Sequence, residues 1–219
     1  MAELQAAIGR WQNSLDPVTG VPVRHAGLPC PTDLLDVVDV LAATGAHIGE
    51  VPALRWVEVG PDAVPPTATI SGTLVYVKSR GLARQDHPKT DAGWWIVVLP
   101  GFAVETLRRT RDARGPDESD VVFPSAAGTL RSPANFRRLW REARRGTGFE
   151  WATPHSFRKT VATLRDRERT TADAAAQLGH SRSAVTRTHY IHKAHEAPAM
   201  TKVLQQLARP AAQPPPMSL

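Results

Sequence analysis

Apolar residues first recur along this chain with helical spacing. AELQAAIGRWQNSL reads as a short helix, and DPVTGVPVRHAGLPCP after it is broken by prolines and glycines into a loop or linker. In PTDLLDVVDVLAATG, Leu34, Leu35, Val38, Val40 and Leu41 form a helical pattern that stops at Gly45, a residue free to adopt the left-handed backbone that ends helices. A second helix is expected from about His47 to Trp56, with Pro52 removing a backbone hydrogen bond and kinking it. The period then changes. TATISGTLVYVK and WWIVVLP are β-rich, and the polar SRGLARQDHPKTDAG between them reads as the long loop of an antiparallel strand pair. Helical spacing returns in FAVETLRRTRDA, ANFRRLWREARR, PHSFRKTVATLRDR, TADAAAQL and SAVTRTHYIHKA. The expected fold is α+β, mainly α-helical, with a small antiparallel sheet. Residues 1–31 are a helix and linker, 32–207 one domain, and 208–219 a proline-rich disordered tail.

Composition narrows the classes. A chain of 219 residues with 42% hydrophobic content is long enough for one well-buried domain. Its single cysteine, Cys30, excludes an internal disulfide, and it has no apolar run long enough for a membrane span and no segment resembling a signal peptide. A cytoplasmic location follows as the default, with no membrane partner. The formal charge of +6 suits a polyanionic partner, and it is concentrated: 131–169 holds eleven Lys/Arg against four Asp/Glu. If that partner is DNA, Arg131, Arg137, Arg138, Arg141, Arg144, Arg145 and Lys159 are the candidate phosphate contacts.

Four short stretches carry candidate chemistry. In TPHSFRKTVATL, Thr153 and Pro154 suit a helix start, while Phe157, Val161 and Leu164 form a core-facing stripe. His155 and Arg158 project together from the first turn, where an imidazole and a planar guanidinium can both donate to one phosphate at the positive helix end. In LGHSRSAVTRTHY, Gly179 ends a helix, His180 sits on the connection, and Tyr190 follows ten residues later. A phenol can attack phosphorus if donors neutralise the phosphate and a base takes its proton. Lys89 in HPKTDAG stands on a loop from which an ammonium of lowered pKa can protonate a leaving alkoxide. His47 in TGAHIGE is the fourth. The spacing of His189, His192 and His195 suggests zinc only weakly, since the outer two lie more than a turn apart and no carboxylate or thiolate joins them; neither metal nor cofactor is expected.

Taken in order, TG-x-H-x-GE, a loop lysine, H-x-x-R, LGH and a tyrosine ten residues on resemble the catalytic domain of the tyrosine recombinases, or phage integrases. The likeness spans roughly residues 32–195. FPSAAGTLRSPANFRRLWREAR, TPHSFRKTVATL and LGHSRSAVTRTHY are similar to actinobacterial integrases in particular. The resemblance implies a mainly helical domain that grips double-stranded DNA, self-associates on it and exchanges strands through a covalent 3′-phosphotyrosine, without metal or ATP. By position, it makes Tyr190 the nucleophile and Lys89 the general acid. Arg158 binds the non-bridging oxygens, His155 assists proton transfer, and His180 donates to the phosphate. It also implies an upstream DNA-binding domain, of which residues 1–31 would be a remnant, and a nucleoid-associated location when bound.

The chain departs from the pattern at three places. His47 stands where the family has its first phosphate-binding arginine, and imidazole offers one donor from a shorter arm where guanidinium offers a two-pronged, permanently charged contact. Trp94 and Trp95 stand where basic residues are common, and Pro52 lies inside the expected His47 helix. The expectation is a truncated site-specific tyrosine recombinase, from a phage or other mobile element, impaired at His47. The alternatives are a DNA-binding remnant or regulator that no longer cleaves, and a type IB topoisomerase-like enzyme.

Overall fold

Helix α2, Leu34–Thr44, is apolar almost all round, and that dictates its place. Ten of its residues are buried, only Asp36 being partly exposed, so other elements must cover it on every side. The computed structural model describes residues 2–15, 20, 24–25, 28–29, 32–86, 94–114, 120–168, 195–196 and 201–208. Within these, α2 packs against α1 (Ala2–Gln12), α3 (Gly101–Arg114) and α5 (Pro154–Glu168), while α1 also meets α4 (Pro133–Arg144). One continuous core runs from Leu4 and Ile8 of α1 through α2 to Phe102 and Leu107, Phe136 and Trp140, Phe157 and Val161, and ends on Leu204 and Leu207. Helix α1 and the segment after residue 31 thus share a core. Buried Asp39 of α2 is held by Gln5 of α1 at 3.3 Å and by the Thr106 hydroxyl of α3 at 2.8 Å.

The strands differ from expectation. Two-residue strands β1 (Arg24–His25) and β2 (Leu28–Pro29) pair in the segment read as a linker. The run TATISGTLVYVK divides at Ser71–Gly72 into β4 (Thr67–Ile70) and β5 (Thr73–Val77). β4 lies between β3 (Val59–Gly60) and β7 (Trp95–Val98), antiparallel to both, and β8 (His195–Glu196) adds to β7 in parallel. β5 instead pairs with β6 (Gly81–Gln85), inside the stretch expected to be loop. The polar GLARQ has little strand character of its own. Arg84 holds it in place by donating to the Ala53 carbonyl at 2.8 Å and by pairing with the Glu58 carboxylate, both far from it in sequence. Gly72 suits the division because a Cβ there would crowd the Arg84 guanidinium.

The helix expected from His47 to Trp56 is absent. Its place is taken by a turn at 48–50 and two 3₁₀ turns, Val51–Ala53 and Trp56–Glu58. Pro52 lies in the opening positions of the first, where a missing N–H costs nothing, so no kink arises. Trp95 faces the core from β7.

Candidate active site

The TG-x-H-x-GE segment is a rigid turn in which each motif residue has a physical task. Gly45 ends α2 at φ 70°, donating its N–H to the Leu41 carbonyl at 2.9 Å. The Thr44 hydroxyl bonds back to Val40 O at 2.7 Å and accepts the Ala46 N–H at 3.1 Å, which fixes the chain's exit from the helix. Glu50 then turns back so that its carboxylate accepts the His47 N–H at 2.6 Å, which closes the turn. Gly49 lies against β5: its carbonyl accepts the Leu74 N–H at 2.8 Å, and a Cβ on it would meet the Thr73 hydroxyl at 2.8 Å. The backbone is thereby held from both sides, and the His47 side chain is left exposed on its crest.

Helix α5 supplies the facing wall. Phe157 and Val161 are buried in the core and Leu164 packs against it, so the helix's rotation is set. Arg158, only 5% exposed, reaches across to donate from Nη1 to the Gly45 carbonyl at 2.7 Å, tying α5 to the end of α2. Burial pulls the Arg158 pKa down, and the Glu50 carboxylate opposes that shift. His155, exposed one turn earlier, faces His47 with the two rings nearly parallel at 11° and their centroids 6.4 Å apart. These groups border an open cleft of about 510 Å³ whose wall also includes Arg137, Trp140, Arg141 and Arg144 of α4 together with Glu150 and Thr153. Such a cleft, lined by guanidinium and imidazole donors beside a helix N-terminus, can hold a phosphate and neutralise its charge.

Comparison with known proteins places the whole chain. The model of the phage integrase family matches residues 28–197. The chain belongs to the phage integrase family. An integrase of Streptomyces ambofaciens is 29% identical over 177 residues, covering 73% of this chain and 44% of that protein. Among solved structures, the Tn1549 transposon integrase in complex with transposon right end DNA aligns with a TM-score of 0.61 at 17% identity, over 74% of this chain and 55% of that one. XerA recombinase aligns with a TM-score of 0.54 at 18% identity, over 94% of this chain and 62% of that one. The structural matches establish the shared fold: this is the mainly helical architecture of tyrosine recombinase catalytic domains. The chain spans less than half the length of the Streptomyces integrase.

Against that family pattern, the structure brings His47, His155 and Arg158 to one cleft. Lys89, His180 and Tyr190 lie outside the described residues, as do His189 and His192. His195 falls in β8, which breaks the helical spacing that linked the three histidines. Among the described residues no group of three or more His, Cys, Asp or Glu is placed to hold a metal, and no helix is long and apolar enough to cross a membrane.

The basic cluster of this integrase-family chain divides by burial, which corrects two expectations. Arg131 does not face a phosphate surface: it is 8% exposed and grips Asp33 with two hydrogen bonds of 2.8 and 2.7 Å, with Pro124 O as a further acceptor. Arg144 is equally structural. Its guanidinium stacks 5.1 Å from the Trp140 ring and donates to the carbonyls of Trp140, Phe149 and Glu150, and burial lowers its pKa. Arg138 lies along α4 near Glu142 at 3.4 Å. Arg137 and Arg141 are exposed and line the cleft, whereas Arg145 and Lys159 are exposed away from its lining.

Sequence reasoning gave Glu50 no task of its own, although it is the last residue of the TG-x-H-x-GE motif. Burial raises the Glu50 pKa, with the His47 N–H and Arg158 pulling it back down. A carboxyl with a raised folded-state pKa contributes stability at low pH and loses it as pH rises through that raised value. Glu50→Gln keeps an acceptor for the His47 N–H and sheds the buried charge. Its melting temperature relative to the native protein should therefore climb between pH 4 and pH 7 in calorimetric scans; a flat or falling difference would show that the charge is not buried at a cost. Glu50→Ala, lacking the acceptor, should lose about 0.5–2 kcal/mol at all pH values.

Proposed function

We propose that this chain is the catalytic domain of a site-specific tyrosine recombinase, an integrase that cleaves and rejoins double-stranded DNA and self-associates on it. The observation that carries the reading is the convergence of His47, His155 and Arg158, from two distant segments, on a cleft also lined by Arg137 and Arg141. In the reaction, the Tyr190 phenolic oxygen attacks the scissile phosphorus, forming a 3′-phosphotyrosyl bond and releasing the 5′-oxygen of the next nucleotide. Arg158 and His180 neutralise the non-bridging oxygens, where charge builds up in the transition state. His155 assists removal of the phenolic proton, and Lys89 protonates the departing 5′-oxygen, which balances the step. No metal or cofactor takes part. His47 supplies a single donor where the family uses arginine, so cleavage is slow. Arg137 and Arg141 hold flanking phosphates.

The test traps the intermediate. Duplexes randomised at the cleavage step and nicked beside it lose the short 5′-hydroxyl fragment on cleavage, so the protein–DNA adduct cannot religate. The native protein should form a denaturant-resistant adduct mapping to Tyr190, and Tyr190→Phe should form none. DNA binding without any adduct, in the native protein and in His47→Arg alike, would overturn the enzymatic reading. That outcome would favour a DNA-binding protein that does not cleave, the second reading that His47 motivates.

A further inference from the structure

Trp151 is 71% exposed, an unusual position for the largest apolar side chain, while Trp140 and Trp95 are buried. It stands between Glu150 and Thr153, both of which line the cleft, so its backbone sits at the rim of the phosphate site. The loop carrying it is pinned on both sides. Arg144 holds the carbonyls of Phe149 and Glu150, and the Trp140 indole N–H donates to the Ala152 carbonyl at 2.8 Å. Ala152 itself is buried, and Thr153 is tied to Ser156 at the start of α5. A loop anchored this closely on each side of an aromatic residue keeps the backbone that carries the ring in place, with little ordering of the chain left to do on binding.

The neighbouring charges define what would meet that ring. Arg137 and Arg141 bring permanent positive charge to the adjoining cleft, which favours a polyanion over an apolar protein surface. Duplex DNA shows phosphates and groove edges along its sides, and its base faces are open only where a strand is broken or unpaired. Strand exchange, on the proposed reading, creates such a place: once the 3′-phosphotyrosyl bond forms, the strand ending in the free 5′-hydroxyl must leave its partner. Every base has a π-face, so one aromatic platform serves regardless of sequence.

We infer that Trp151 is a stacking platform for an unpaired base of the DNA beside the cleavage site, binding the opened strand during exchange. This rests on the recombinase reading. It predicts that the protein binds a duplex with a short unpaired segment at the cleavage step about tenfold more tightly than the fully paired duplex. Trp151→Ala should lose that preference while keeping its affinity for paired DNA, and Trp151→Phe should keep most of it.

The experiment measures anisotropy of both labelled duplexes across a salt series, with a fluorescent adenine analogue in the unpaired segment whose emission is quenched on stacking. Native protein should quench it and Trp151→Ala should not. Arg137→Gln with Arg141→Gln, as the contrasting variant, should flatten the salt dependence of both duplexes and leave the preference intact. A preference or quenching that survives in Trp151→Ala, or an equal loss of affinity for both duplexes, would overturn the inference while leaving the recombinase reading standing. Failure of the native protein to bind either duplex would overturn both.

Discussion

On the recombinase reading proposed above, replacing His47 with arginine should raise the rate of covalent adduct formation at Tyr190 by about 10²–10³, the range associated with one transition-state donor worth about 2.7–4 kcal/mol. The geometry favours a clean gain. His47 lies exposed on the crest of a turn whose backbone is held by Thr44, Gly45, Gly49 and Glu50 through hydrogen bonds that do not involve its ring. A longer side chain has room to extend into the open cleft. Guanidinium then brings a fixed charge and a planar fork that matches two phosphate oxygens, where imidazole brings one donor. Single-turnover trapping on nicked duplexes measures the effect. An arginine variant no faster than the native protein would show that position 47 does not touch the phosphate.

Arg131→Ala should cost the fold about 3–5 kcal/mol, the usual penalty for stranding one partner of a buried ion pair. For a chain of this size that is a drop of roughly 6–20 °C in melting temperature, at about 2–4 °C per kcal/mol. The loss has two parts. Asp33 keeps a buried carboxylate without its bidentate partner at the start of α2, and the Pro124 carbonyl loses the guanidinium donors that hold the 124–131 loop to it. Asp33→Asn combined with Arg131→Met should be milder than the sum of the single changes, because the double variant leaves no unpaired charge behind. Thermal and urea unfolding of the four proteins completes the cycle. A wild-type-like Arg131→Ala would mean that the pair is dispensable and would reopen a surface role for this arginine.

Much of the fold could be read from periodicity because the helices bury wide apolar faces. Leu34 to Leu41, Phe136 to Trp140, and Phe157 to Val161 each announce a helix and its inward side without help from the rest of the chain. The H-x-x-R spacing also placed His155 and Arg158 on one stretch of helix. Where local preference was weak, the reading failed. GLARQ becomes a strand only because Arg84 is caught by Ala53 and Glu58, and the residues after His47 form 3₁₀ turns because Gly49 must lie against β5 and Pro52 stands in the opening positions of the first of them.

The charged residues make the division clearest. Sequence alone determined that this protein is basic, mainly helical and of the phage integrase pattern, with a histidine where the pattern has arginine, since those properties reside in residue identity and spacing. Only the tertiary structure decided which arginines face outward. Arg131, Arg137 and Arg144 are alike on paper, yet one pairs with Asp33 from 98 positions away, one stays exposed at the cleft, and one is spent on the loop that presents Trp151. A guanidinium carries the same charge wherever it stands; whether it meets a carboxylate, a carbonyl or an incoming phosphate depends on neighbours that the chain supplies only when it is folded.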